Sequence, residues 1–376
     1  MNRTALLCTT IASLSILAAA LVVAGPLNPP SGAVASTYKT LTEVEPRIAI
    51  NSTNTPGDAD SVFRIRQPGA YYLTGKVTGA SGKMGIEIAA SNVTVDLNGF
   101  EVQGVTGALD GISCTLPSAS VISVENGSVC DWPLDGIDLG IDIGYGGHLD
   151  RVVASGNTGD GIKAGIEYTV TRCSSLNNGG YGFSVSSSCT MSNCAAYGNA
   201  LSGVSCRFAC TLSDCTASFN YSDGFLSVYA GNSLHNCTAS SNDGHGFDIS
   251  YSSSIVNCAS YINGGDGFRI SNSNVLIGNT SSYNGQGASG GCGVMMTGMD
   301  NRVEGNNCSN STYGIRALTS GNFISRNICS GNTTNWNVVA GNVCLVVNAT
   351  TTGGTINGNS GGTAPGSTDP NANFTY

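Results

Sequence analysis

Residues 189–225 read CTMSNCAAYGNALSGVSCRFACTLSDCTASFNYSDGF, and the phrase CTMSNC at 189–194 returns as CTLSDC at 210–215. In both copies an asparagine stands five residues after the last cysteine (Asn199, Asn220) and a glycine four residues after that (Gly203, Gly224). A fixed interval of this kind marks a solenoid, in which each repeat is one turn of backbone and equivalent residues stack.

The same glycine organises most of the chain. Gly85, Gly111, Gly136, Gly161, Gly182, Gly203, Gly224, Gly246, Gly267, Gly293 and Gly314 each open a short apolar–x–apolar stretch, such as GIEI, GFSV or GFRI. The steps range from 21 residues (Gly182 to Gly203) to 26 (Gly85 to Gly111). In–out alternation over three or four residues is a strand signal. A leucine-rich repeat has a similar period, but leucine is sparse here and the return limbs (CAAYGN, CTASFN, CTASSN) are too short and turn-rich for helices. The pattern predicts an all-β, right-handed parallel β-helix of about eleven coils, each with three short strands, stacked about 4.8 Å apart.

Columns follow from that stacking. Asn178, Asn199, Asn220, Asn242, Asn263 and Asn284 recur once per coil, so their amides can bond from coil to coil at a turn. Cys173, Cys194, Cys215, Cys237 and Cys258 recur likewise, and Cys189 and Cys210 begin a second column. The cysteines suit an inward position that wants a small apolar side chain. Stacked Cα atoms would also lie within disulfide range. The spacing follows the coil rather than pairs, and five is odd, which favours buried thiols over disulfides.

Composition narrows the function classes. The chain has 376 residues, a formal net charge of -9 and no cluster of Lys or Arg, which argues against a nucleic-acid partner. Arg3 followed by the apolar run Ala5–Ala24 reads as an export signal, cleaved after Ala24 or after Ala35. Cys8 would leave with it, and no later segment is apolar enough to cross a membrane as a helix. The expected organisation is a signal peptide (1–24), an N-terminal linker and cap (25–84), the coils (85–345) and a Gly/Ser/Thr-rich tail or strap (346–376). Within the cap, VFRIRQPGAYYLTGKV around Pro68-Gly69 reads as a hairpin, and Thr40 with Glu43 as a capping box for one helical turn ended by Pro46.

The stretch SNVTVDLNGFEVQG followed by serial xGF and xGI coils resembles the right-handed parallel β-helix repeat proteins of the pectate-lyase-like superfold, over roughly residues 85–345. That group implies polysaccharide chemistry or surface proteins without catalysis. Polygalacturonases of the group carry NTD, DD, GHG and RIK motifs. Here NTD is interrupted as Asn157-Thr158-Gly159-Asp160, no DD pair exists, and Gly244-His245-Gly246 is what the repeat's opening turn yields whenever its variable residue is His.

Candidate chemistry then lies in two columns. Asp110, Asp135 and Asp160 precede the glycine in successive coils. They repel one another at that spacing and are candidate calcium ligands, or solvated turn aspartates. Two residues after each glycine runs an outward column that includes Asp138, Lys163, Asp248, Arg269 and Arg316. Asp135, Asp138 and Lys163, with Asp142 and His148 nearby, form the candidate acid/base set. Asp248, Arg269 and Arg316 are candidate substrate contacts. Recurrent tyrosines, among them Tyr197, Tyr229, Tyr251, Tyr261 and Tyr283, either stack on sugars or cap turns. The reading is an exported surface or matrix protein that binds polysaccharide or cell-envelope glycan along its side. The alternatives are a polysaccharide lyase or glycoside hydrolase, and a purely structural envelope protein.

Overall fold

Short strands that recur at one interval stack into two parallel sheets. The computed structural model describes residues 45–117, 119–140, 145–285, 290–348, 356–358 and 370–375. The chain divides into Met1–Pro46 and Arg47–Tyr376, and the second unit is the solenoid. The expected signal peptide and the Thr40/Glu43 turn, like Asp142, lie outside the described residues. A regular coil gives one strand to a 14-stranded sheet, here sheet 1, and two to a 26-stranded sheet, sheet 2. In one coil these are Phe183–Val185 in sheet 1, then Thr190–Ser192 and Ala195–Tyr197 in sheet 2. Register is strict: Phe183 sits on Val204 and Val185 on Cys206. Like residues therefore stack, as in the parallel rings of Phe225, Phe247 and Phe268, with centroids 4.9 and 4.7 Å apart. The inward side chains of all coils merge into one continuous core, the hydrophobic term that holds a solenoid together.

The winding extends further than the glycine signal. Sheet 1 has fourteen strands rather than about eleven, beginning at Ser61–Ile65 and ending at Ile356–Gly358. The hairpin expected around Pro68-Gly69 does not form. Ser61–Ile65 pairs in parallel with Met84–Ile88 in sheet 1, and Gly69–Leu73 pairs in parallel with Ile48–Ile50 and Val93–Asp96 in sheet 2. Pro68-Gly69 is thus a corner of an early coil. At the other end, Asn373–Thr375 pairs in parallel with Ile328–Ser330 and Val346–Asn348.

Three corner columns carry the polar bonding. The asparagine column runs from Asn157 to Asn284, each Nδ2 donating to the next Oδ1 at 2.9 Å while the backbone N–H donates to the same oxygen. The cysteine columns have a second function that the sequence reading misses. Cys173, Cys194, Cys215, Cys237 and Cys258 are buried and free of disulfides. Three of them send Sγ to a carbonyl one coil back: Cys194 to Val170, Cys215 to Met191 and Cys258 to Leu234, at 3.6–3.8 Å. In later coils the same position is Asn279, Asn306, Asn327 and Asn373, bonded Nδ2 to Oδ1 at 2.9 Å. The Cys189–Cys210 column likewise continues as Asn232, Ser253, Asn274 and Asn301. The thiols thus stand where the fold elsewhere places a hydrogen-bonding amide.

Candidate functional site

The outward column expected from the sequence is a single file on sheet 1. Arg64, Glu87, Ser113, Asp138, Lys163, Ser184, Ser205, Leu226, Asp248, Arg269, Met295 and Arg316 are register partners in turn. Beside it runs the file before the glycine, whose geometry explains the aspartates. Asp110 Oδ1 accepts the N–H of Asp135 at 3.0 Å, Asp135 Oδ1 that of Asp160 at 2.6 Å, and Asp160 Oδ1 that of Tyr181 at 2.7 Å. Asp223 and Asp266 do the same for His245 and Cys292, at 2.7 and 2.8 Å. The glycines beside them make room: a Cβ on Gly159, Gly180 or Gly244 would lie within 2.1–2.5 Å of a carboxylate oxygen of this ladder.

The candidate acid/base set does come together. Lys163 Nζ donates to Asp135 Oδ2 at 2.5 Å and lies 3.8 Å from Asp160 Oδ2. Burial by itself would lower the Lys163 pKa. The hydrogen bond and charge of Asp135, with Asp160 and Asp138, override this, and the net shift is upward. The carboxylates thus favour the charged ammonium, which works against a role as proton acceptor. Burial pushes the carboxyls of Asp110, Asp138 and Asp160 up. Asp138 Oδ1 also accepts the N–H of Gly140 at 2.9 Å. His148 pairs in sheet 2 with Thr169 and Ser123, away from the sheet 1 file. The calcium reading needs free carboxylate oxygens. Oδ1 of all three aspartates is taken by an N–H, and the Lys163 ammonium supplies the positive charge between Asp135 and Asp160. Among the described residues no group of three or more His, Cys, Asp or Glu is arranged for a metal ion, so these residues do not fit the ion.

Further along, the files carry a second polar group. His245 replaces aspartate in the ladder: its Nδ1 accepts the N–H of Asp266 at 2.9 Å. Its Nε2 lies 3.2 Å from Arg269 Nη1. Asp248 is next to Arg269 in the outward file, its carboxyl pushed up by burial and by the charge of Asp223. Arg316 packs its guanidinium over the Tyr313 ring at 4.7 Å. Asp248, Arg269 and Arg316, expected as substrate contacts, therefore line one face with His245, which the motif comparison had set aside.

Aromatic residues bracket sheet 1 over these coils. Phe208, Tyr229 and Tyr251 are exposed at the corner where the chain leaves the sheet, and the Phe208 and Tyr229 rings stack at 4.3 Å. Tyr197, Phe219, Tyr261 and Tyr283 are exposed at the corner where it re-enters, with Tyr197–Phe219 at 5.2 Å and Tyr261–Tyr283 at 5.9 Å. Tyr168, by contrast, is a core residue.

The sequence matches the family model described as right handed beta helix region, over residues 74–258 and 162–289. Among solved structures the chain is similar to the A-module of the mannuronan C-5 epimerase AlgE4 of Azotobacter vinelandii, with 15% identity, 78% of this chain and 91% of that chain covered, and a TM-score of 0.54. It is also similar to the A-module of the mannuronan C-5 epimerase AlgE6 of the same organism (14% identity, 82% and 90% covered, TM-score 0.46) and to the pectate lyase Pel9A (15%, 76% and 70%, TM-score 0.36). At such identities the likeness concerns the fold alone. No curated protein matches the sequence. The family match spans residues 74–289 of 376, and the chain belongs to the right-handed β-helix family.

Proposed function

We propose that this chain is an exported protein that binds polysaccharide along the side of its solenoid. The observation that carries the reading is the aromatic corner on the entry side of sheet 1. Phe219, Ile262 and Tyr283 hold φ of 56°, 54° and 55° there. In other coils the same position is Gly156, Asn177, Gly198, Ser241, Asn310 or Gly331, mostly residue types suited to a left-handed conformation. A bulky L-residue at such a position costs about 1–2 kcal/mol. The fold does not require one, since other coils turn the same corner with Gly, Asn or Ser. These three side chains are also 54%, 38% and 45% exposed, so each keeps a face open to solvent. Partly exposed apolar side chains on a strained ridge fit a ligand that packs on their open faces. Sugar rings present flat C–H faces to aromatic rings and hydroxyls to the Ser, Thr and Asn that surround them. Export rests on Arg3 and the apolar run Ala5–Ala24. A lyase that would use Lys163 as its base is less well served, because Asp135 and Asp160 beside it favour the ammonium.

The test is affinity electrophoresis and a glycan array with the mature chain and the double variant Phe219→Asn/Tyr283→Asn. Asn is native to this corner, so the variant should fold, and it should bind its glycan about tenfold or more weakly, as lost stacking of two rings implies. A blank array for the wild type, or full binding by the variant, sinks the reading.

A further inference from the structure

The last strands of sheet 2 are out of chain order. Asn373–Thr375 lies between Ile328–Ser330 and Val346–Asn348, paired in parallel with both. Its N–H groups alternate between the two sides: Asn373 donates to Leu345 O and Phe374 to Asn327 O, each at 2.8 Å. The coils before them stack in chain order, as Ile328–Ser330 does on Asn307–Ser309. Val346–Asn348 belongs to the coil that follows Ile328–Ser330, yet a strand from further along the chain has been inserted between them.

The amide column explains the insertion. Asn327 needs an oxygen above it for its N–H and its Nδ2, as Asn306 takes one from Asn327. The following coil turns this corner with Leu345, flanked by Cys344 and Val346, and none of these carries an amide. Asn373 supplies the oxygen. Its Oδ1 accepts both bonds from Asn327 at 2.9 Å, and its Nδ2 donates to Ile324 O at 2.8 Å. Thr375 stacks on Cys329, and its Oγ1 accepts from Asn335 Nδ2. Asn373 and Thr375 are fully buried, while Phe374 faces outward on Ile328. Arg326 holds the approach, with Nε donating to Pro370 O at 3.0 Å and its backbone N–H to Asn371 O at 3.3 Å.

These contacts join the segment to the slot, and none depends on how the segment is tied to the coils before it. The slot recognises an extended Asn–apolar–Thr backbone, which is peptide recognition by strand addition. Fourteen residues stand between Gly358, where the last strand of sheet 1 ends, and Asn373. A regular coil uses nine for the same passage, from Val185 to Ala195.

We infer that the slot between Ile328–Ser330 and Val346–Asn348 is a strand-docking site whose partner in trans is residues 370–375 of a second copy of this chain. Two copies that exchange the segment make the same bonds twice and close into a pair. The tether favours the single chain, because a short connection holds the segment at an effective concentration of about millimolar. Exchange takes over once the tether cannot span the passage. The inference is independent of the polysaccharide reading.

Removing residues 360–367 tests it, since six residues (359 and 368–372) then remain for a passage that takes nine. Size-exclusion chromatography with light scattering should give the shortened chain twice the mass of one chain, and the wild type a single-chain mass at the same concentration. Asn373→Ala in the shortened chain should raise the dimer dissociation constant about tenfold or more. Ile328→Cys with Phe374→Cys places thiols on register partners that both face outward. With oxidised glutathione this pair should link two shortened chains to each other, and at full length one chain to itself. A shortened chain that stays single overturns the inference. So does a dimer that Asn373→Ala leaves intact, or one that the cysteine pair fails to link. Should the shortened chain not fold, the wild type refolded from urea at low and at high concentration decides. Exchange predicts a dimer fraction that grows with concentration and drops in Asn373→Ala, and a single-chain product throughout overturns it.

Discussion

One corner of the solenoid is lined by thiols in its first half and by amides in its second. Cys173, Cys194, Cys215, Cys237 and Cys258 occupy it, then Asn279, Asn306, Asn327 and Asn373. The backbone path is the same in both halves. The bonding is not. An asparagine in this column gives Nδ2 to a carbonyl one coil back and to the next Oδ1, and its Oδ1 takes a backbone N–H and an amide from the coil before. A cysteine gives only weak S–H contacts, at 3.6–3.8 Å to the same kind of carbonyl and at 3.2–3.5 Å to a carbonyl of its own coil. The comparison separates shape from bonding: the corner needs a small buried side chain, and an amide adds several satisfied hydrogen bonds to it.

The largest expected effect lies in the amide half. Asn306→Ala removes the acceptor for the N–H and Nδ2 of Asn279 and the donor to Leu276 O, all in a residue 1% exposed. Buried polar groups left without partners cost about 1–3 kcal/mol each, so an apparent loss of about 3–5 kcal/mol is expected. Urea unfolding followed by circular dichroism checks it. A loss below about 1 kcal/mol would show that the amide column is shape filling after all.

The matching change in the thiol half should be smaller. Cys215→Ala deletes one sulfur at a site with 0% exposure and contacts to Met191 O and Ser213 O at 3.8 and 3.2 Å. The cost is a small cavity and a weak donor, about 1–2 kcal/mol. If the two alanine variants melt alike, the distinction between the halves is wrong.

Much of this was legible in the sequence, and the gaps have physical reasons. The glycine period and the Asn178–Asn284 column repeat one residue type at one interval, so they declare the fold. The continuation of Cys258 as Asn279 and of Cys210 as Asn232 and Ser253 changes residue type within a column, and only register shows that these side chains share one corner. The early coils escaped notice because Pro68-Gly69 has the composition of a hairpin turn, whereas only strand pairing tells a corner from a reversal. In the site, the outward file followed from the period alone, and Asp248, Arg269 and Arg316 fall on it as expected. The role of His245 did not follow, because its meaning lies in which nitrogen faces the N–H of Asp266, and that is a matter of geometry.

The smallest expected effect tests the comparison at its seam. Cys258 is the last thiol, and its own N–H already donates to Asn279 Oδ1 at 2.8 Å, as an asparagine in the column would. Its Sγ holds the two contacts an amide would replace: it donates to Leu234 O at 3.6 Å and accepts the N–H of Cys237 at 3.4 Å. Cys258→Asn would place Nδ2 near both Leu234 O and Asn279 Oδ1, and Oδ1 near the Cys237 N–H, which repeats the Asn279 pattern one coil earlier. The gain in bonding is opposed by the extra volume of an amide under Cys237 Sγ, so the net should be between zero and about 1 kcal/mol of stabilisation. Differential scanning calorimetry of the two proteins decides it. A melting temperature lowered by several degrees would mean that the thiol half has a corner of its own shape and that the two halves are not interchangeable.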